Sequence, residues 1–168
     1  MTHSPTNQDQ KKSTFWRNLL IWSALALLIR WQVVEPRWIP SGSMLPTLRL
    51  QDRILIEKVR PRLTRIQRRH LNHESIVVFH PPMPLLDAGY DPNSALIKRI
   101  VGLPGDEIAV HNGQLLRNGK TIEEFWRTEK MQYNLDPITV PANTFLVLGD
   151  NRNNSLDSHL WGVLPEEN

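Results

Sequence analysis

The run Ala-Leu-Ile-Lys-Arg-Ile-Val-Gly-Leu-Pro-Gly-Asp at residues 95–106 combines apolar and β-branched side chains with an abrupt end. Such side chains favour the pleated surface of a sheet, so the run predicts a β-strand from Ala95 to Val101. Proline followed by glycine, at 104 and 105, is typical of a type II turn. Because successive side chains of a strand line both of its faces, Lys98 is expected to lie among apolar neighbours.

The chain from 36 to 168 repeats this pattern of short apolar runs separated by turn residues, which predicts a mainly β domain built on an antiparallel sheet. The clearest further strands are Ile54–Ile56, Ile76–Phe79 and Phe145–Leu148. Asn-Gly pairs at 112–113 and 118–119 are strong hairpin signals and predict a meander. The proline-rich residues 80–94 are expected to form a loop.

An apolar segment precedes this domain, and Leu19 to Ile29 carry no charge. A helix that spans a bilayer needs about 20 residues, so Arg30 would have to reach the interface. A core helix, an interfacial helix and a cleavable secretory signal are the alternatives, but no small-x-small cleavage site follows the run. We expect one uncleaved transmembrane helix over 15–35.

The residues before the helix set its expected orientation. Residues 1–14 are polar and predict a flexible tail. Lys11, Lys12 and Arg17 place the amino end in the cytoplasm by the positive-inside rule, although arginines also follow the apolar segment. Four tryptophans are available as interfacial anchors, namely Trp16, Trp22, Trp31 and Trp38. The domain over 36–168 is then expected outside the cytoplasm.

Composition excludes several other classes of protein. The 168 residues are 40% hydrophobic and 22% charged, which is ordinary for one folded domain with an anchor. The absence of cysteine rules out disulfides and thiolate metal sites. A net charge of +3 does not by itself indicate nucleic acid. The basic run Lys58 to Arg69 could touch lipid headgroups or nucleic acid, but a solvated connecting loop is favoured because no base-reading motif accompanies it.

A second notable segment, Pro40 to Leu48, reads Pro-Ser-Gly-Ser-Met-Leu-Pro-Thr-Leu. It places Ser41 and Ser43 on either side of a glycine that would let the backbone approach a substrate closely. A serine needs a base before it can attack, and the attacked oxygen needs hydrogen-bond donors. On these residues alone an ordinary turn is the favoured interpretation.

The third segment is Gly-Asp-Asn-Arg-Asn-Asn-Ser-Leu-Asp-Ser at 149–158. Together and in this order, the three segments resemble the motifs of the type I signal peptidases, the bacterial leader peptidase family. The resemblance implies that Ser43 is the nucleophile, Lys98 the general base, Ser41 an oxyanion donor and Ser155 the group that holds the lysine amine. It also implies a supporting set, Asp150, Arg152 and Asp157, that would brace the third segment. Arg99, beside the base, could pair with Asp150 in a further supporting role, although an ordinary surface ion pair is the alternative.

The lysine can act as a base only if its pKa falls. A lysine of ordinary pKa, about 10.4, is less than roughly 0.1% neutral at pH 7. Desolvation among Leu96, Ile97 and Ile100 would lower the pKa, and a serine hydroxyl would orient the amine without restoring its charge. Without the resemblance, a solvated surface lysine would be the favoured interpretation.

The resemblance further implies a membrane-bound serine endopeptidase that cleaves signal peptides from exported preproteins by a Ser/Lys dyad. Its fold is the antiparallel sheet that signal peptidases share with LexA-like proteins. Substrates of the Ala-x-Ala type would add as a β-strand beside a shallow apolar pocket. The residues expected to line this pocket are Ile39, Met44, Leu48, Leu96 and Ile97. No metal, cofactor, nucleic acid or obligate protein partner is implied, and the lipid bilayer of the cell or thylakoid membrane is the expected location.

Several positions depart from the family pattern. Gln51 and Glu74 stand where turn glycines are usual, and Asn153 replaces a frequent aspartate. His159 replaces a frequent arginine, which predicts a weaker ion pair beside Asp157, and Asp157 could instead pair with Arg152. Members usually continue through one more strand after residue 165, so an open sheet edge is expected if Asn168 is the true end.

Two other functions remain as alternatives. A self-cleaving LexA-like repressor shares the serine–lysine chemistry but needs an amino-terminal DNA-binding domain, where this chain has an apolar segment. An inactive homologue that binds peptides at a membrane is the non-enzymatic alternative, and cleavage of an Ala-x-Ala peptide separates it from a peptidase.

Overall fold

The computed structural model describes residues 7–32, 34–57, 71–127 and 129–168. The basic run at 58–69 lies outside the described residues. The chain divides into two compact units, Met1–Arg37 with Ile54–Arg69, and Trp38–Arg53 with His70–Asn168. Every residue predicted to take part in chemistry belongs to the second unit.

The first unit contains a helix where the anchor was expected. Helix α1 covers Asn7–Gln32, and strands β1 (Val34–Trp38) and β2 (Arg53–Glu57) form a two-stranded sheet. The helix begins inside the predicted flexible tail, because glutamine and lysine between Asn7 and Lys12 are good helix formers. In the described part of the chain, no helix combines the length and apolar character that crossing a bilayer requires.

The second unit is mainly β and antiparallel, as predicted. The strands are β3 (Ile76–Phe79), β4 (Leu96–Gly102), β5 (Glu107–His111), β6 (Gln114–Arg117), β7 (Lys120–Thr121), β8 (Leu135–Thr139), β9 (Thr144–Leu148) and β10 (Leu164–Pro165). The first sheet has the order β10-β9-β4-β3 and the second the order β7-β6-β5-β8, and every pairing within them is antiparallel.

Strand β4 is the strand predicted from residues 95–106, and it lies between β3 and β9. Val77 of β3 pairs with Lys98, and Val147 of β9 pairs with Ile100. A register shift follows between Ile100 and Gly102. Both faces of the strand are packed, since one apolar cluster contains Ile100 and another contains Val101. This double burial fits a continuous apolar run better than an alternating one.

Both Asn-Gly pairs form the predicted hairpins. Asn112 and Gly113 join β5 to β6 with φ of 51° and 76°, and Asn118 and Gly119 join β6 to β7 with φ of 53° and 74°. Asparagine and glycine adopt positive φ more easily than other residues, so the tight turn follows from these two side chains. Gln51 and Glu74, at φ of 68° and 72°, likewise occupy turns that would favour glycine.

Two short elements differ from the expectations. Residues 80–94 were predicted to be a loop, yet Met83–Asp87 forms helix α2, which starts after Pro82 with Pro84 in its first turn. Proline suits the first turn because no intrahelical partner awaits its missing N–H. A second short helix, α3 (Ser158–Trp161), is capped by Asp157, whose side chain accepts from His159 N.

Candidate active site

Ser43 lies in a single 3-10 turn, Gly42–Met44. The Met44 side chain is 1% exposed, so it anchors this turn in the core. Asn151 holds this turn from the third segment. Its backbone N–H donates to Ser43 O at 3.0 Å, and its side-chain amide donates to Gly42 O at 3.1 Å. The backbone that carries the Ser43 side chain is therefore held by two hydrogen bonds from Asn151.

Lys98 reaches this turn from the middle of β4. Its Nζ donates to Ser43 Oγ at 2.9 Å and to its neighbour's carbonyl, Ile97 O, at 3.0 Å. The Ser41 hydroxyl lies 3.2 Å from Ser43 Oγ. A serine hydroxyl thus has an amine and a second hydroxyl within hydrogen-bond distance, which is the spacing that general-base catalysis requires.

Burial changes the acid–base chemistry of the lysine. Lys98 is only 4% exposed. Desolvation lowers the pKa of Lys98 below its ordinary value, and the carboxylate of Asp157 opposes this change. Removing water disfavours the charged ammonium and so increases the neutral fraction that can accept a proton.

Gly149 lies directly against both the serine turn and Ser155 of the third segment. A Cβ at this position would lie 2.5 Å from Ser43 O and would collide with the Ser155 side chain. Its N–H donates to Asp157 Oδ2 at 2.8 Å. Only glycine leaves room here, because any larger residue would push the two segments apart.

Arg99, beside the lysine in β4, is bound to Asp150 in a buried two-point ion pair. The Nε and Nη2 atoms lie 2.7 and 2.6 Å from the two carboxylate oxygens. Arg99 also donates to Glu74 O at 2.7 Å, and Thr47 Oγ1 donates to Asp150 at 2.5 Å. The predicted pair is present, and it joins all three segments rather than lying on the surface.

The comparisons with known proteins agree with this geometry. A family model described as "Signal peptidase, peptidase S26" matches residues 13–168. The chain belongs to the signal peptidase family. It is therefore a hydrolase, a serine endopeptidase of the kind that cleaves signal peptides from exported proteins.

Individual signal peptidases match most of the chain. A probable signal peptidase I-1 of Synechocystis sp. is 47% identical over 150 residues, covering 89% of this chain and 74% of the relative. Signal peptidase I of Leptolyngbya laminosa is 46% identical, with 86% and 68% covered. Thylakoidal processing peptidase 1 of Arabidopsis thaliana is 43% identical, with 86% of this chain and 42% of the relative covered.

Ser155 does not hydrogen-bond to the lysine in this signal peptidase, although the sequence predicted that it would. The Lys98 amine has Ser43 and Ile97 as its hydrogen-bond partners. The Ser155 hydroxyl is buried and, among the described residues, has no hydrogen-bond partner. A buried hydroxyl without a partner is unusual, because leaving it unpaired has a free-energy cost.

The pairing suggested for Arg152 with Asp157 is also wrong. Arg152 binds Glu124 through Nη1 and Nη2 at 2.8 and 2.6 Å, and both side chains are 1% exposed. Asp157 instead pairs with His159, whose Nδ1 lies 2.6 Å from Oδ1. The histidine therefore keeps a partner for Asp157 at the position where an arginine is frequent.

The apolar positions predicted to line a substrate pocket divide into two groups. Ile39 and Met44 are 4% and 1% exposed, so their side chains lie in the core and not on a surface open to a peptide. Leu48, Leu96 and Ile97 are half-buried and remain next to the dyad in sequence. Within the described ranges, no three histidine or acidic side chains are grouped as metal ligands.

Sequence reasoning missed Glu124, Thr47 and Asn151. Thr47 and Asn151 lie inside the quoted segments, so the segments themselves pointed to them. Glu124 has no such signal, since it lies outside the three segments and directly follows a second glutamate, Glu123. Its partner is 28 residues away, and nothing in the local sequence identifies it.

Proposed function

We propose that this signal peptidase cleaves its substrate with Ser43 as nucleophile and Lys98 as general base. The observation that carries the proposal is the 2.9 Å contact between Lys98 Nζ and Ser43 Oγ, made by a lysine that is 4% exposed. The neutral amine takes the hydroxyl proton as Ser43 Oγ attacks the scissile carbonyl. The resulting ammonium then gives that proton to the leaving amine.

In the second step Lys98 takes a proton from water as the water oxygen attacks the acyl-enzyme ester, the bond to Ser43 Oγ breaks, and the ammonium returns the proton to Ser43 Oγ. The negative charge that develops on the carbonyl oxygen needs donors in both steps. The Ser41 hydroxyl and the Ser43 N–H are the groups proposed to supply them. Ser155, buried against Gly149, is proposed to orient the lysine amine once substrate is bound, because its hydroxyl has no other partner among the described residues.

The proposed substrates are preproteins whose signal peptides end in an Ala-x-Ala sequence. An extended peptide presents every second side chain on one face, so two small residues would point to the same surface. Leu48 and Ile97 are the half-buried apolar residues proposed to form that surface, since Leu96 packs against the apolar cluster that contains Ile100. Small side chains suit it because the dyad must approach the backbone closely.

The proposed location is the cell membrane or a thylakoid membrane, with the amino end in the cytoplasm. Helix α1 exposes large apolar side chains that would contact lipid, with Leu20, Trp22 and Leu27 between 65% and 69% exposed. Because the uncharged run from Leu19 to Ile29 is short, a single-pass topology would require Arg30 to reach the interface. Support for the orientation comes from the positive-inside rule alone.

The test is cleavage of a synthetic Ala-x-Ala peptide in detergent by the full chain. Ser43→Ala and Lys98→Ala are each expected to abolish cleavage, and the double variant is expected to be little worse, because residues that act as one unit are not additive. Lys120→Ala, at an exposed lysine of β7, is the matched control and should keep full activity. A folded Ser43→Ala or Lys98→Ala variant that retains most of its activity would remove this mechanism.

A further inference from the structure

A segment outside the three motifs lies against the candidate site. It connects β7 to β8, and we refer to residues 122–127 and 129–134 as the bracing segment. Two of its side chains reach the two buried arginines of the site. Glu124 binds Arg152, and Trp126 lies over Arg99.

Glu124 is connected to the serine turn through Arg152 and Gly149. Its carboxylate binds the Arg152 guanidinium at two points, and both side chains are 1% exposed. Arg152 Nε donates in turn to Gly149 O at 2.9 Å. Gly149 is the residue that leaves no room for a Cβ beside Ser43 O. The carboxylate thus fixes an arginine that fixes the backbone behind the nucleophile.

The contact of Trp126 leads to the strand of the base. The Arg99 guanidinium lies 4.2 Å from the Trp126 ring centroid, a favourable cation–π distance. Arg99 follows Lys98 directly in β4 and also binds Asp150. The indole therefore covers the ion pair that joins β4 to the third segment and limits the access of water to it.

The bracing segment is itself attached to the third segment. The Asn153 side chain accepts from Gln132 N at 2.8 Å and donates to Lys130 O at 2.9 Å. This asparagine side chain accepts one backbone hydrogen bond and donates another, as a residue in a β-ladder does. An aspartate could not donate to Lys130 O. Asparagine in place of the frequent aspartate at position 153 therefore suits a backbone that needs both a donor and an acceptor.

We propose that Glu124 and Trp126 are positioning residues of the catalytic site, holding Arg152 and Arg99 so that Ser43 and Lys98 keep their reactive spacing. The inference rests on the proposed Ser/Lys mechanism. Neither residue touches the dyad, so each acts through its arginine. Side-chain direction alternates along this stretch, since Glu123 is exposed and Phe125 is 89% exposed, while Glu124 is buried. The chain thus offers a matched control beside each positioning residue.

The first experiment compares Glu124→Gln, Glu124→Asp and Glu123→Gln on an Ala-x-Ala peptide. Glu124→Gln removes the charge that holds Arg152, and it should lower kcat by roughly tenfold to a hundredfold, the scale expected for a small misplacement of reacting groups. KM should stay within about threefold, because no substrate contact is lost. Glu124→Asp keeps the charge and should recover part of kcat, while Glu123→Gln should match the parent.

The second experiment makes the same comparison at the other arginine. Trp126→Ala exposes the Arg99 pair and should lower kcat by about threefold to tenfold, whereas Trp126→Phe keeps a ring over the guanidinium and should restore most of it. Phe125→Ala is the control and should behave as the parent. This comparison stands by itself if Glu124→Gln fails to fold.

All rates are divided by the folded fraction, measured from an unfolding curve of each full-length variant. Unchanged kcat per folded molecule in Glu124→Gln and Trp126→Ala would overturn the proposal, as would a loss that Glu124→Asp and Trp126→Phe do not relieve.

The mechanism is tested separately by Ser43→Ala in the same assay. If Ser43→Ala stays active, the proposed function fails. If it is inactive while the Glu124 and Trp126 variants keep the parent kcat, only the positioning role fails.

Discussion

Strand β4 carries two adjacent cations, and the protein treats them in opposite ways. Lys98 and Arg99 are 4% and 7% exposed, so both are removed from water. Arg99 receives a carboxylate at two points, a backbone carbonyl and an aromatic ring. Lys98 receives one hydroxyl and one carbonyl, and none of the carboxylates in the described part of the chain lies within hydrogen-bond distance of it.

The difference shows how one strand can supply both a structural cation and a base. A buried cation paired with a carboxylate keeps its proton, because the opposite charge favours the charged form. A buried lysine given only neutral partners has its pKa lowered by desolvation. Alternation of side chains along β4 separates the two environments, since adjacent residues face opposite sides of the sheet.

The largest effect on the free energy of unfolding is expected from Asp150→Asn, which removes the carboxylate that pairs with Arg99. The change leaves a buried guanidinium without a countercharge, and it should lower the free energy of unfolding by about 3–5 kcal/mol. Denaturant unfolding of the full chain measures it. His73→Ala is the control because it removes the partly exposed contact with Asp106, and it should change the free energy by about 1 kcal/mol or less. Equal effects of the two variants would mean that burial of the Arg99 pair does not matter.

A smaller effect of opposite sign is expected from Lys98→Met. It removes a buried amine whose charged form is disfavoured by desolvation, so the free energy of unfolding at pH 7 should rise by about 1 kcal/mol while peptide cleavage is lost. The parent has a lower lysine pKa when folded than when unfolded. Between these two pKa values the unfolded state binds more protons, so the stability of the parent rises with pH.

Lys98→Met should lack this rise, which unfolding curves taken at several pH values would reveal. Lys120→Met, at an exposed lysine, should keep the pH dependence of the parent. If Lys98→Met proved as destabilising as Asp150→Asn, Lys98 would be held by a charge in the same way as Arg99, and the contrast between the two cations would disappear.

The smallest effect is expected from Asp157→Asn, which should shift the pH–rate profile. The change alters the environment of Lys98 and leaves the ion pair of Arg99 with Asp150 in place. The Asp157 carboxylate opposes the lowering of the Lys98 pKa. Its neutralisation should therefore lower that pKa further and move the acid limb of the pH–rate profile to lower pH. The asparagine oxygen can still accept from Gly149 N, so the backbone contact is retained. An acid limb that moves to higher pH would mean that Asp157 does not act on the base through its charge.

Local features of the fold were predictable from the sequence because their causes are local. β-Branched runs predicted β3, β4 and β9, and the Asn-Gly pairs predicted two hairpins whose turns need positive φ. The loop predicted over 80–94 was wrong in part, since Pro82 and Pro84 suit the start of helix α2 as well as a loop. The apolar segment was correctly expected to be a helix, but no described helix meets the requirements for a membrane span.

The sequence by itself determined the three segments and the strand that carries Lys98, because residue types and their order along the chain were sufficient for these. The pairing of Arg99 with Asp150 was one of two interpretations, and the tertiary structure decided that it is a buried ion pair. Only the tertiary structure decided that Arg152 binds Glu124, that Trp126 covers Arg99 and that Ile39 and Met44 lie in the core. Ion pairs and burial depend on which distant segments meet, and in the sequence Glu123 and Glu124 look the same although one faces water and the other a buried arginine.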